Sequence, residues 1–155
     1  MFKKRKNIFE VEEGKFLSPK FDDKGLVPVI TTDFKNGDVL MHGYMNKIAL
    51  KKTIETKEAH YWSRSRKALW HKGKTSGFVQ KVVELRIDDD QDAVWMKVNI
   101  GKGASCHVGY ISCFYRSIPL GKIKNFKKIK MKFKEKKKKF DPDKVYKGQA
   151  NPTKL

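Results

Sequence analysis

Residues 26–32, LVPVITT, are almost wholly apolar or β-branched, which predicts a strand, and Pro28 within them suggests a sheet edge or the start of a strand. DFKNGD follows at 33–38, where Asn36-Gly37 is a strong hairpin signal, and VLMHGYM at 39–45 supplies the returning strand. Asn46 is a good N-cap for a helix running to about Lys57, with Ile48, Ala49 and Ile54 on a helix-compatible face. This is the one main helix expected. AHYWSRS (59–65), GFVQKVVELRI (77–87) and AVWMKVNI (93–100) are rich in β-branched and aromatic residues and read as strands, and SCFYRSI (112–118) closes the core. One helix among many short strands predicts an α+β domain with a mostly antiparallel sheet. Further on, KIKMKFK (128–134) alternates Ile129, Met131 and Phe133 with lysine, the period of a half-buried strand, whereas EKKKKFDPD reads as loop. On that pattern, residues 128–133 are expected to matter for folding and 134–139 to be dispensable for catalysis.

Composition changes this picture little. A chain of 155 residues that is 39% hydrophobic can bury a core, which excludes a disordered chain despite the charge. No run of 18 apolar residues occurs, and the basic N-terminus is not followed by an apolar stretch, so neither a membrane span nor a signal peptide is expected. A cytoplasmic location follows as an expectation, in which Cys106 and Cys113 are thiols or metal ligands and not a structural disulfide. The formal net charge of +19 invites a nucleic-acid reading. However, residues 120–155 hold 14 Lys against three acids, so most of the charge lies outside the domain body. The expected division is a basic lead-in at 1–25, a core at 26–118 and a Lys-rich extension at 119–155.

Against 31 lysines the five arginines stand out. Arg64, Arg66 and Arg116 offer a rigid fork suited to phosphate; ion pairs on a sheet surface are the other reading. Arg64 and Arg66 fall in WSRSRKALWHKGKTSG (62–77), where Lys72, Thr75, Ser76 and two glycines could also hold phosphate through side chains and backbone N–H groups. It is not a Walker A sequence. Trp62 and Trp70 could stack on a base or simply pack.

IDDDQDAVW (87–95) crowds four carboxylates into five positions, an arrangement that calls for a compensating cation. If the segment is extended, Asp88, Asp90 and Asp92 share one face and Asp89 the other. Three such carboxylates suit Mg²⁺ or Ca²⁺. An EF-hand fails, because Ala93 stands where glycine is needed and Asn99 where glutamate is needed. A solvated acidic turn is the remaining alternative. Cys106 and Cys113 are seven apart with His107 adjacent, unlike a zinc ribbon, but GKGASCHVGYISCFYR is a loop context that favours ligands over buried core cysteines.

GYMN (43–46), YWSRSRKALWHKGKTSG (61–77), DDDQDA (88–93) and CHVGYISCFYR (106–116) occur in the order in which similar motifs occur in the phosphoribosyl-AMP cyclohydrolase family of histidine biosynthesis. The resemblance runs from about Leu26 to Ile118. It implies a homodimer with active sites at the subunit interface, and hydrolytic opening of the N1–C6 bond of the adenine ring in 1-(5-phosphoribosyl)-AMP. It further implies Mg²⁺ on Asp88, Asp90 and Asp92, and Zn²⁺ on Cys106 and Cys113. The family's acidic motif is D-C-D-x-D, whose cysteine is a zinc ligand; here that position is Asp89, an oxygen donor that zinc also accepts. The family often has His after TSG, where this chain has Phe78, leaving His107 as the nearest titratable candidate for catalysis. Zinc lowers the pKa of water to about 7, so hydroxide can attack C6. The H-x-E and P-C-x-x-C signatures of zinc deaminases are absent. The substrate's two phosphates would give Arg64, Arg66, Lys72, Thr75 and Ser76 a purpose. The short stretch after Ile118 implies a single activity, without a fused pyrophosphohydrolase. The alternative function is an inactive relative that binds nucleic acid through its lysines.

Overall fold

The fold is built on two hairpins that share one sheet. A computed structural model describes residues 2–153. Its strands are β1 (Val27–Asp33), β2 (Val39–Met45), β3 (His60–Ser63), β4 (Ala68–His71), β5 (Lys81–Ile87), β6 (Val94–Asn99), β7 (Arg116–Ser117) and β8 (Lys132–Phe133). Its helices are α1 (Ile8–Glu12), α2 (Lys47–Thr56) and α3 (Pro142–Val145). The main sheet has the order β2-β1-β6-β5, with β1 parallel to β6 and the other pairs antiparallel. This is an α+β fold with mostly antiparallel pairing and one main helix.

The β1–β2 hairpin turns through Asn36-Gly37, closed by Gly37 N–H to Asp33 O at 2.9 Å. Asn46 caps α2 through Oδ1, which accepts from Ala49 N–H at 2.8 Å. The helix stops at Lys57, whose φ of 55° is left-handed. Its Ala49, Leu50 and Thr53 are buried, and they carry it onto β3 and β2. In β6 the period of two is clean: Val94, Met96 and Val98 face the core and Trp95 the outside. They meet Val27, Val29, Leu40, Met41, Met45 and Tyr61 in one cluster. Fully buried, Leu40 is a position where truncation to alanine costs about 2–5 kcal/mol.

Several expectations are corrected. Pro28 lies at the start of its strand, one of the two expected readings, but the strand is central and not an edge; the proline is accommodated because β1 pairs with β6 only from Val29 onward. The run 112–118 is a loop except for Arg116–Ser117, since Ser112 and Cys113 bond to β2 instead of forming a ladder. KIKMKFK forms only the two-residue β8, and Met131 and Phe133 are exposed, so no half-buried strand spans 128–134. A strand at Ala68–His71 was not anticipated; it pairs with β3 to form a hairpin of its own. Among the described residues no helix is long and apolar enough to cross a membrane.

Candidate active site

Beyond β6 the chain enters a loop that reverses on itself. Ser105 N–H donates to Ile111 O at 2.9 Å and Cys106 N–H to Tyr110 O at 3.2 Å, so the loop carries Cys106 back toward Cys113. Cys113 is held from the other side, by its N–H to Leu40 O at 2.7 Å and by Ser112 Oγ to Val39 O at 2.6 Å. The two free thiols are neighbours that compete for a proton. Interaction with Cys113 pulls the Cys106 pKa down to about 6, against its burial, with help from the N–H groups of Val108 and Tyr110 and from the Lys72 ammonium. The same interaction pushes Cys113 up. Such a pair carries one thiolate and one thiol sharing a proton, a soft donor set.

Behind the thiols lies a line of buried polar groups. The Thr31 hydroxyl lies 2.7 Å from Tyr61 Oη, which donates to Gln80 Oε1 at 2.8 Å. Gln80 Nε2 then donates to Ser105 Oγ at 2.9 Å, and Lys72 Nζ donates to Ser105 O at 2.7 Å. Lys72 is only 3% exposed, and burial lowers its pKa while the two cysteines raise it. Its ammonium is therefore held inside, on the backbone of the thiol loop next to Cys106, and not in solvent. His107 is half-buried; burial and the Lys72 charge hold its pKa below the usual value, partly opposed by a hydrogen bond with Asn151. Neutral imidazole is thereby favoured.

At the other end of β6 sits the acidic turn. It is a tight reversal, not the extended segment expected: Gln91 N–H donates to Asp88 O, and Asp88 Oδ1 accepts from the N–H groups of Asp92 and Ala93 at 2.8 and 2.9 Å. Gln91 takes a left-handed φ of 60°, and its buried amide accepts from Ser18 N–H at 2.7 Å and donates to Val11 O at 3.0 Å. The reversal changes which carboxylates meet. Asp88, Asp89 and Asp90 bring oxygens within 4.8 Å of one another, while Lys20 Nζ lies 3.3 Å from both Asp90 and Asp92. Part of the crowded charge is thus neutralised within the chain.

The basic segment becomes the β3–β4 hairpin. At its exposed tip the Arg64 guanidinium lies 4.0 Å from the Tyr44 ring centroid, and Arg66 Nε donates to Ser63 Oγ at 3.1 Å. Trp70 packs on Tyr61. Thr75 is exposed, and Ser76 Oγ accepts from Phe78 N–H at 3.3 Å. Gly73 has φ +89°, and a Cβ there would stand 2.3 Å from the Phe78 backbone, so only glycine lets this turn close. Arg64 and Arg66 on one side and Lys72 on the other thus point to different surroundings. Arg116, in β7, has its guanidinium 4.9 Å from the Tyr115 ring.

Residues 41–115 match the family model described as phosphoribosyl-AMP cyclohydrolase. A Rhodopseudomonas palustris protein of that name is 56% identical over 137 residues, covering 88% of this chain and 89% of the relative. One from Nitrobacter winogradskyi is 50% identical over 145 residues, covering 94% and 97%. One from Brucella canis is 57% identical over 109 residues, covering 70% and 78%. The chain belongs to the phosphoribosyl-AMP cyclohydrolase family. These are hydrolases acting on a cyclic amidine, and membership at this identity does not favour the alternative of an inactive nucleic-acid binder.

Relative to the family pattern, the position of the missing histidine is used for packing: the Phe78 ring lies 5.0 Å from that of Phe140 in the C-terminal extension. Asp89 is exposed in the acidic turn, separated from its own chain's thiol loop by the whole of β6. Tyr61, Gln80, Ser105 and Glu135 carry contacts to the site that the sequence reading gave no role. Gln80 had a signal, as the one amide in the strand-like run 77–87. Glu135 had none; it looks like one acid in a lysine tract.

Proposed function

We propose that this chain hydrolyses the N1–C6 bond of the adenine ring of phosphoribosyl-AMP in histidine biosynthesis, as a homodimer that uses Zn²⁺ and Mg²⁺. The convergence of Cys106 and Cys113 beside a buried lysine, in a chain of this family, carries the reading. Two adjacent sulfurs fit Zn²⁺, and Asp88 and Asp90, whose oxygens lie within 4.8 Å of each other, fit with Asp92 a hard cation such as Mg²⁺, which leaves Asp89 for zinc. Zinc would supply a water acidic enough to deliver hydroxide near neutral pH. Water adds across the N1–C6 bond, so that its oxygen ends on C6 as a carboxamide and a proton ends on N1.

In this reading the buried line Lys72-Ser105-Gln80-Tyr61 holds the thiol loop at a fixed place, and Lys72 favours thiolate over thiol through its charge. His107, kept neutral, can accept a proton. Arg64 and Arg66, with Thr75 and Ser76, remain the residues proposed for the two phosphates, because they are near a protein surface and offer donors. Lys72 is assigned to the thiols, since its ammonium is already bonded to Ser105 O.

The homodimer rests on distance. The acidic turn leads into β6 and the thiol loop leaves it, and six residues of strand span about 20 Å. One chain therefore does not offer both groups to one small substrate. Two copies related by a two-fold axis can, with the acids of one facing the thiols of its partner, and Asp89 can then act as the third zinc donor. Incubating the purified protein with phosphoribosyl-AMP, Zn²⁺ and Mg²⁺ should change the absorbance as the ring opens. Absence of turnover with both metals present contradicts the proposal.

A further inference from the structure

The C-terminal extension does not trail away from the domain. Lys134 N–H donates to Tyr115 O at 2.8 Å and Lys139 N–H to Gly109 O at 2.7 Å, so the segment between them runs across the thiol loop as a strap. Phe133 packs on Tyr110 and Tyr115, whose rings stack 4.0 Å apart, and Phe140 packs on Phe78. At Gly109, φ is +102° and a Cβ would meet Phe140 O at 2.4 Å, so the strap lies flush against the loop backbone. In the middle of the strap, Glu135 Oε2 accepts from Ile111 N–H at 2.8 Å and Oε1 from Ser112 N–H at 2.9 Å.

We propose that Glu135 is a positioning residue that sets the separation of the two thiols, and so makes the C-terminal extension part of the metal site. The two N–H groups it holds belong to the residues directly before Cys113, and Ile111 also accepts from Ser105 N–H, next to Cys106. One carboxylate thus spans the peptide units through which the two cysteines are joined. Hydrogen bonds to an ionised acceptor are shorter and about twice as strong as neutral ones, and two on one carboxylate fix orientation as well as distance. Without Glu135, the second cysteine keeps only its β2 contacts, and the half-buried N–H groups of Ile111 and Ser112 lose their partner. The site would then depend on a residue outside the segment matched by the family model, and Glu135, inside the stretch 134–139 expected to be dispensable, would be needed. The strap also differs in kind from a solvated charge run: its lysines face out while its single acid faces in.

This inference rests on the metal reading above, and its test separates the two. The wild-type chain, Glu135→Ala, Glu135→Gln and the surface control Lys137→Gln are compared in two assays. In the first, zinc affinity is measured by competition with a chromophoric chelator. In the second, the metal-free chain is titrated with phenylarsine oxide, which bridges two thiols only when they are close. Glu135→Ala should weaken both zinc and arsenical binding by about tenfold or more, the range found when residues supporting metal ligands are removed. Glu135→Gln keeps one acceptor oxygen and should fall between; Lys137→Gln should match wild type. If Glu135→Ala does not fold, Glu135→Gln decides, at a thermal midpoint equal to wild type. Wild-type values of both affinities in the Glu135 variants, or an equal loss in Lys137→Gln, would overturn the proposal. Should the wild-type chain bind no zinc, the metal reading fails, and the arsenical titration still decides whether Glu135 holds the thiols together.

Discussion

The two ends of β6 carry their functional groups by different means. At its start, the acidic turn is closed by Asp88, which accepts from Asp92 and Ala93, and is anchored to the N-terminal segment by the buried Gln91, while the Asp89, Asp90 and Asp92 carboxylates accept from no backbone N–H among the described residues. At its end, the thiol loop owes its shape to distant partners: Lys72, Gln80, Leu40 and Glu135 each reach it from a different part of the chain. The acidic turn can therefore lose the Asp90 carboxylate, which bonds only the exposed Lys20, and keep its shape. A loop held by long-range bonds loses shape when a partner goes, so the same reaction is expected to fail in two distinguishable ways.

Removal of the strap should produce the largest effect. Truncation after Phe133 deletes Glu135, the Lys139 bond and the Phe140–Phe78 contact together, and should reduce both zinc affinity and turnover by about ten- to a hundredfold. Metal analysis by mass spectrometry and the ring-opening assay would measure it; a truncated chain with wild-type values would remove the contrast between the two ends. Gln80→Leu comes next. It fits the volume but leaves Tyr61 Oη with the Thr31 hydroxyl alone and Ser105 Oγ without a partner, at a cost of about 2–3 kcal/mol. The thermal midpoint should fall by roughly 5–10 °C.

At the acidic end the effects should be smaller and reversible. Asp90→Asn should keep the wild-type thermal midpoint and lower activity in a way that excess Mg²⁺ partly restores, because the amide still offers oxygen but with less charge. Titrating Mg²⁺ in the activity assay tests this; loss of stability would show that the Asp90 carboxylate also holds the turn. Lys20→Ala should have the smallest effect and the opposite sign. Lys20 competes with a cation for Asp90 and Asp92, so its removal should tighten Mg²⁺ binding a few-fold in calorimetry.

The same contrast explains what could be read from the sequence. Asn36-Gly37 and Asn46 were legible because each acts on a backbone group within three or four residues of itself. The acidic cluster was legible as a cluster but not in shape: carboxylate-to-backbone bonds and a left-handed Gln91 turn a segment that alternation would extend. Pairing of the two cysteines follows from a loop reversal visible only once Ser105 and Ile111 are together. The β4 strand was hidden by the basic residues around it, and 112–118 looked like a strand because of its aromatics, yet Tyr115 packs on Phe133 and Phe114 is exposed. Glu135 was invisible, since nothing local distinguishes an acid that folds back 23 residues to a loop.

The central claim is that the acids of one subunit work with the thiols of its partner, and subunit complementation tests it most directly. Asp90→Asn and Cys106→Ser subunits, each inactive or weak alone, would be unfolded together, refolded as a mixture and assayed for ring opening. In a mixed dimer, one of the two sites pairs intact acids with intact thiols. With random association about half the dimers are mixed, so recovery of about a quarter of wild-type activity is predicted. Activity no greater than the average of the two parents, in a mixture shown by native mass spectrometry to contain the mixed dimer, would contradict the account.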